Sequence, residues 1–171
     1  MYRRYLDENS REQMAPASLG CSNYFELKHV LVATGMPRSE WIQLQTPARY
    51  LGNEFGAVHK DWDSATVRFT LTYPEIYEVG ASNLGHIVLY TVLNEEEGLL
   101  CDRSYMPADD MQALLQKYDK PLFAVESKRP LADFDTLGFS LAYELGATNV
   151  LQMLKISVRA IGCHTVANKS S

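Results

Sequence analysis

Four polar side chains and a glycine within one short stretch hold the clearest chemical potential in this 171-residue chain. The stretch reads Tyr73-Pro-Glu-Ile-Tyr-Glu-Val-Gly-Ala-Ser-Asn-Leu-Gly85 and joins a strand pattern to a helix pattern. At such a junction the first helical N–H groups lack partners and attract anions. Gly80, Ala81, Ser82 and Asn83 would offer backbone donors and a hydroxyl to an anion, while Glu75 or Glu78 would accept bonds from a ribose or an amine. The plainer reading is that Gly80 supplies an unusual backbone angle, Ser82 or Asn83 caps the helix, and the glutamates are solvated. The loop matches neither Gly-x-Gly-x-x-Gly nor the Walker A pattern, so nucleotide binding has no motif behind it.

A second group precedes the first strand, in Arg49-Tyr-Leu-Gly-Asn-Glu-Phe-Gly-Ala-Val-His-Lys-Asp-Trp62. Arg49, Asn53, His59 and Lys60 supply donors, and Tyr50 and Trp62 supply stacking surfaces, so the segment would serve as a binding lip. It would serve equally as an arm docked on a neighbouring domain, since such contacts favour aromatics and Arg. The docking arm is the preferred reading.

Other chemistry finds little to use. His29, His59, His86 and His164 are isolated, with no second ligand type at helix or turn spacing, so no metal site is expected. His86, one turn into a helix, is expected to face solvent. Cys21, Cys101 and Cys163 lie far apart, form no Cys-x-x-Cys pair and are odd in number, which suits idle thiols in a reducing compartment. Gly-x-Ser-x-Gly is absent, as is the Asp-x-His-x-x-Gly sequence by which many cobalamin-binding domains ligate cobalt.

The elements that must position these residues follow from periodicity. Val67, Phe69, Leu71 and Tyr73 alternate with Thr66, Arg68, Thr70 and Thr72, which predicts a strand over 65–73 ended by Pro74. A helix follows from Ser82 or Asn83 to about Asn94, with Leu84, Ile87, Val88 and Val92 as its buried face and Leu89 and Leu93 widening it. Strands are predicted over 99–105, 122–126 and 137–143, a short helix over about 108–118, and a last helix with Ala147, Val150, Leu151 and Leu154 on its buried face. Alternation of this kind implies an α/β, Rossmann-like architecture, a mostly parallel sheet with helices on its faces.

Upstream, residues 1–46 read as a poorly patterned extension, loosely attached apart from a short helix over about 23–34; 47–156 form the domain, and 157–171 read as a tail. The apolar and charged fractions, 46% and 22%, are those of a globular protein. No apolar run reaches the roughly 20 residues of a membrane span. The net charge of −5 argues against a broad nucleic-acid-binding surface. After Met1-Tyr-Arg-Arg-Tyr-Leu, acidic Asp7, Glu8 and Glu12 stand where a signal peptide needs an apolar region and a transit peptide avoids acids.

Several of these segments carry a resemblance. Pro47-Ala-Arg-Tyr-Leu-Gly-Asn-Glu54, Val58-His-Lys-Asp-Trp62, the 73–85 loop, Pro121-Leu-Phe-Ala-Val-Glu-Ser127 and Phe134-Asp-Thr-Leu-Gly-Phe-Ser-Leu-Ala-Tyr-Glu-Leu-Gly-Ala-Thr-Asn-Val-Leu151 resemble the N-terminal domain of a family of uncharacterised radical S-adenosylmethionine (SAM) proteins. The version with Asp102-Arg-Ser-Tyr105 and Gly146-Ala-Thr-Asn149 looks most like cyanobacterial or plastid-lineage members. The resemblance runs from about Pro47 to Ile156. It implies a fold similar to cobalamin-binding domains, preceding in cis a barrel whose Cys-x-x-x-Cys-x-x-Cys loop holds a 4Fe-4S cluster that cleaves S-adenosylmethionine. Those cysteines are not in this chain, so what is implied is an accessory domain with no catalytic residue of its own. The expected location is the cytoplasm, with the plastid as the alternative. After Leu154 the chain departs from the family, as a truncated product would, and the fold is expected to be incomplete at its C-terminus. The competing functions are a free-standing binder of a nucleotide- or corrinoid-like ligand and a non-functional fragment.

Overall fold

A computed structural model of the chain describes residues 21–52 and 54–165, with side chains over 27–52 and 54–157. Its centre is a three-stranded parallel sheet of β1 (Val67–Tyr73), β2 (Leu99–Tyr105) and β3 (Thr136–Phe139), in the order β2-β1-β3. Phe69, Leu71 and Tyr73 stand beside Cys101, Arg103 and Tyr105, and Leu71 beside Gly138, so these residues share one face. Arg68, Thr70 and Thr72 share the other with Leu100, Asp102, Ser104, Leu137 and Phe139. The alternation in the sequence is therefore a division between two covered faces. The α/β, Rossmann-like expectation holds.

From β1 the chain passes through α3 (Tyr77–Ala81) and α4 (Leu84–Glu95) to β2 on the first face. From β2 it returns past β1 through α5 (Asp109–Lys117) to β3, and α6 (Ala147–Thr165) follows. Because the path reverses direction at β1, β1 and β3 flank a topological switch point, the place where open α/β sheets usually bind ligands. The glycine of β3 has a packing reason: a Cβ on Gly138 would fall 2.4 Å from the Phe69 ring.

The second face carries the main core. Leu100, Met106, Met111, Leu114, Leu115, Phe123, Leu131 and Met153 pack there with Leu27 and Val30 of α1 (Cys21–Thr34) and with Trp41, which closes α2 (Arg38–Trp41). Trp41 and Val30 are fully buried. The described part of the extension thus belongs to the core, contrary to the loose attachment expected of it; residues 1–20 lie outside the described residues. Few apolar residues sufficed because most of them point the same way.

Other boundaries differ. Leu122–Glu126 is buried but is not a strand: Phe123 bridges Pro130, the Ala124 N–H bonds the Arg129 carbonyl, and Val125 alone of these residues donates to a backbone carbonyl of β2, that of Arg103, at 2.7 Å. Its apolar run serves a tight turn rather than a sheet ladder. β3 stops at Phe139, four residues short of the predicted end, although the Ser140 N–H still reaches the Thr72 carbonyl. The last helix continues to Thr165, through the start of the expected tail, and 166–171 lie outside the described residues.

Candidate functional site

At the C-terminal end of β1 the predicted anion loop is mostly helix. The Gly80 N–H bonds the Ile76 carbonyl at 3.2 Å, the Asn83 N–H bonds the Gly80 carbonyl, and the Ser82 hydroxyl donates to the Val79 carbonyl at 3.1 Å. Those donors are turned inward. Gly80 has an ordinary helical angle; what requires glycine is contact, since a Cβ would sit 2.5 Å from the Tyr105 ring. Asn83 is the N-cap of α4, its Oδ1 accepting from the His86 N–H at 3.0 Å.

Glu75 does take part in a cluster, and at the switch point. Its Oε1 accepts from the Tyr143 hydroxyl at 2.6 Å and lies 3.5 Å from Asn149 Nδ2, which donates to the Pro74 carbonyl at 2.8 Å. The carboxylate pushes the Tyr143 hydroxyl pKa upward. Tyr143 and Asn149 were missed in the sequence because both lie about 70 residues from Glu75; only the pairing of β3 with β1 brings them together.

Glu78 meets the other predicted group. Arg49 Nε donates to Glu78 Oε1 at 2.6 Å and raises the arginine's pKa; at Glu78 burial works upward, but the hydrogen bonds and the Arg49 charge together bring the carboxyl below its usual value. Thr46, Ala48, Arg49, Gly52, Glu54, Tyr77 and Glu78 line a half-open depression of about 220 Å³ beside this pair. Tyr50 is buried, its hydroxyl accepting from the Ala108 N–H at 3.1 Å, and burial raises its pKa.

The rest of the proposed lip lies elsewhere. Lys60 Nζ donates to the carbonyls of Glu96 and Leu99, at 3.2 and 2.6 Å, beside the start of β2, and Trp62 stacks under Arg68 and Arg129 beside the start of β1. His59 is exposed. Asn53 lies outside the described residues. The candidates therefore divide between the two ends of the sheet, with Arg49, Glu75 and Glu78 at the C-terminal end.

Beneath the depression is a buried ionic network. Asp102 accepts backbone N–H bonds from Arg103, Glu126 and Ser127 at 2.7 to 2.9 Å. The Arg103 guanidinium holds Glu126 and Glu54 and lies 4.4 Å from the centre of the Tyr90 ring. Burial and the neighbouring Asp102 push the Glu126 carboxyl well above its usual range, and the contacts with Glu126 push the Arg103 pKa up against its own burial. Lys128 Nζ ties in the Leu51 and Val125 carbonyls. The network fastens Leu51, Glu54 and the segment 122–128 to β2, a structural task.

Next to it, His86 is 1% exposed rather than solvent-facing. Nδ1 lies 3.2 Å from Ser140 Oγ, Nε2 has no partner, and burial with the Arg103 charge pushes the ring's pKa down to about 4. Cys101 is also buried, its thiol pushed up to about 12, chiefly by burial. Among the described residues no group of three or more His, Cys, Asp or Glu could hold a metal ion, and no helix is long and apolar enough to cross a membrane.

In comparison with known families, residues 85–162 fit the family described as radical SAM proteins, N-terminal. The matched stretch runs from the first turn of α4 into α6 and includes the switch-point residues Tyr143 and Asn149. Neither a curated protein nor a solved structure matches the chain.

Proposed function

We propose, on the premise that residues 85–162 are an N-terminal domain of the radical SAM proteins, that this chain is an accessory module acting beside a radical SAM core in cis and leaving the radical chemistry to that core. What carries the reading is the state of its own reactive groups. Glu78 is paired with Arg49, Glu75 with Tyr143, and Glu126 with Arg103, while the Cys101 thiol is buried and held protonated. His86, whose Nδ1 stands beside Ser140 Oγ and whose Nε2 has no partner, is buried away from solvent.

A cluster that cleaves S-adenosylmethionine needs closely spaced thiolates. Cys21, Cys101 and Cys163 do not supply that spacing and Cys101 is sealed in the core, so the residues present do not fit a 4Fe-4S cluster and no step is routed through one. The test is S-adenosylmethionine cleavage under reducing conditions with iron and sulfide supplied. The chain alone is expected to show no turnover; turnover by the isolated chain would overturn the assignment.

The depression of about 220 Å³ supports a second reading, a small-ligand site used with or without the core. Titration calorimetry with nucleotides and corrinoids decides it: saturable binding weakened by Arg49→Ala supports it, and flat traces remove it.

A further inference from the structure

Helix α4 is apolar on the side that faces away from its own sheet. Toward β1 and β2 it turns His86 and Tyr90, with Leu93 and Asn94 partly covered; Asn94 bonds both ways with Cys101, at 2.9 and 3.1 Å. Outward it turns Leu84, Ile87, Val88, Leu89 and Val92, with Leu84 72% exposed and Val88 50%. At about 100° per residue these five span a broad stripe centred opposite His86 and Tyr90. An apolar outer face belongs against a further layer, and among the described residues nothing covers this one.

We infer that the outward stripe of α4 is the docking surface for the radical SAM core. The inference rests on the accessory-module reading, which it makes specific. Two observations select this occupant. The family match begins at Gly85, so all of the stripe but Leu84 lies within the segment that is matched as an N-terminal domain, and such a domain has a following part of the protein to meet. The stripe also ends in an acidic rim, the exposed Glu95, Glu96 and Glu97, and α4 carries no Lys or Arg. A partner must therefore offer an apolar surface bordered by cations, and a second copy of α4 cannot supply them. Apolar contact gives such an interface its strength, and the charged rim sets orientation and association rate.

The test uses the full chain and, as a separate polypeptide, a radical SAM core from a protein in which this N-terminal domain directly precedes the core. Val88→Asp changes a half-exposed side chain, and the change is first shown to leave the thermal unfolding midpoint in place. Phe55→Asp, at a fully exposed site outside the stripe and the matched segment, is the control. Val88→Asp is expected to weaken association at least about tenfold, as loss of a central apolar contact does. Phe55→Asp is expected to leave it unchanged. Glu95→Lys with Glu97→Lys is expected to slow association and to reduce its salt dependence.

Wild-type binding that Val88→Asp does not weaken would overturn the surface and leave the accessory role standing. Absence of any association with the core would overturn both. Self-association of the chain, abolished by Val88→Asp in sedimentation runs without the core, would assign the stripe to a second copy and overturn the inference.

Discussion

Replacing His86 with leucine should change the response of the fold to acid more than its stability at neutral pH. The folded protein holds the ring's pKa at about 4, against 6.5 when unperturbed. Between those values the unfolded chain takes up a proton that the folded one refuses, so stability falls as the pH drops. Each pH unit inside the window is worth about 1.4 kcal/mol, and the whole window therefore removes about 3 kcal/mol. Two features supply the penalty: the ring is buried, enclosed between Tyr73 and Tyr105 with centroids 5.3 and 5.6 Å away, and the Arg103 charge opposes a second cation beside it. At pH 7 the substitution loses the contact with Ser140 and removes the unpartnered Nε2, so the two proteins should agree within about 1 kcal/mol. Urea unfolding at several pH values between 7 and 4 gives both curves. The His86→Leu protein should overtake the wild type as the pH falls through 6 and lead by about 2 to 3 kcal/mol at pH 4. The other acid-sensitive groups are common to both proteins and cancel in the difference. Two curves that fall in parallel would refute the argument.

Gly52→Ala should cost about 2 to 4 kcal/mol, because φ is +65° and the added Cβ would fall 2.0 Å from the Val125 carbonyl oxygen. Gly56→Ala, at φ +88° with nothing within 4 Å, should cost about 1 kcal/mol, and thermal melts compare them. Arg103→Met should cost about 3 to 5 kcal/mol at pH 7, since it leaves Glu126 and Glu54 without their cation. Its deficit should shrink as the pH falls toward 4.5: the Glu126 pKa is already raised in the fold, protonation removes the stranded charge, and denaturant titration at two pH values reads the change. Asn83→Ala should cost about 1 kcal/mol through the lost cap on α4, visible as a lower urea midpoint with an unchanged slope.

How far the sequence could be read depended on whether a pattern had one structural meaning. Alternation over 67–73 has one meaning, and β1 was placed to within two residues. β2 and α5 were also placed closely, by Gly98 and Met106-Pro107 before them and by an apolar repeat in α5. Leu122 to Glu126 had two meanings, and a buried turn won because its N–H groups found nearer partners. In α4 the position was legible and the orientation was not. Its apolar stripe looked like the buried face, whereas the sheet selected His86, Tyr90 and Asn94 because Arg103, Ser140 and the Cys101 backbone needed polar neighbours there. At the candidate site Glu75, Glu78 and Arg49 were foreseen as polar groups in loops. Their partners depended on strand order, which no local pattern carries.

The placement of the two tryptophans gives the molecule a built-in pair of optical reporters. Trp41, which follows α1, is sealed in the main core, while Trp62 is partly open and held between two guanidinium groups, 5.0 and 4.2 Å from its ring, at the opposite end of the sheet from the switch point. Trp41 should emit toward the blue and escape iodide, and Trp62 should emit toward the red and be quenched. Peeling of α1 and α2 from the core would thus register as a colour change at one fluorophore while the other stays still, without any label being attached.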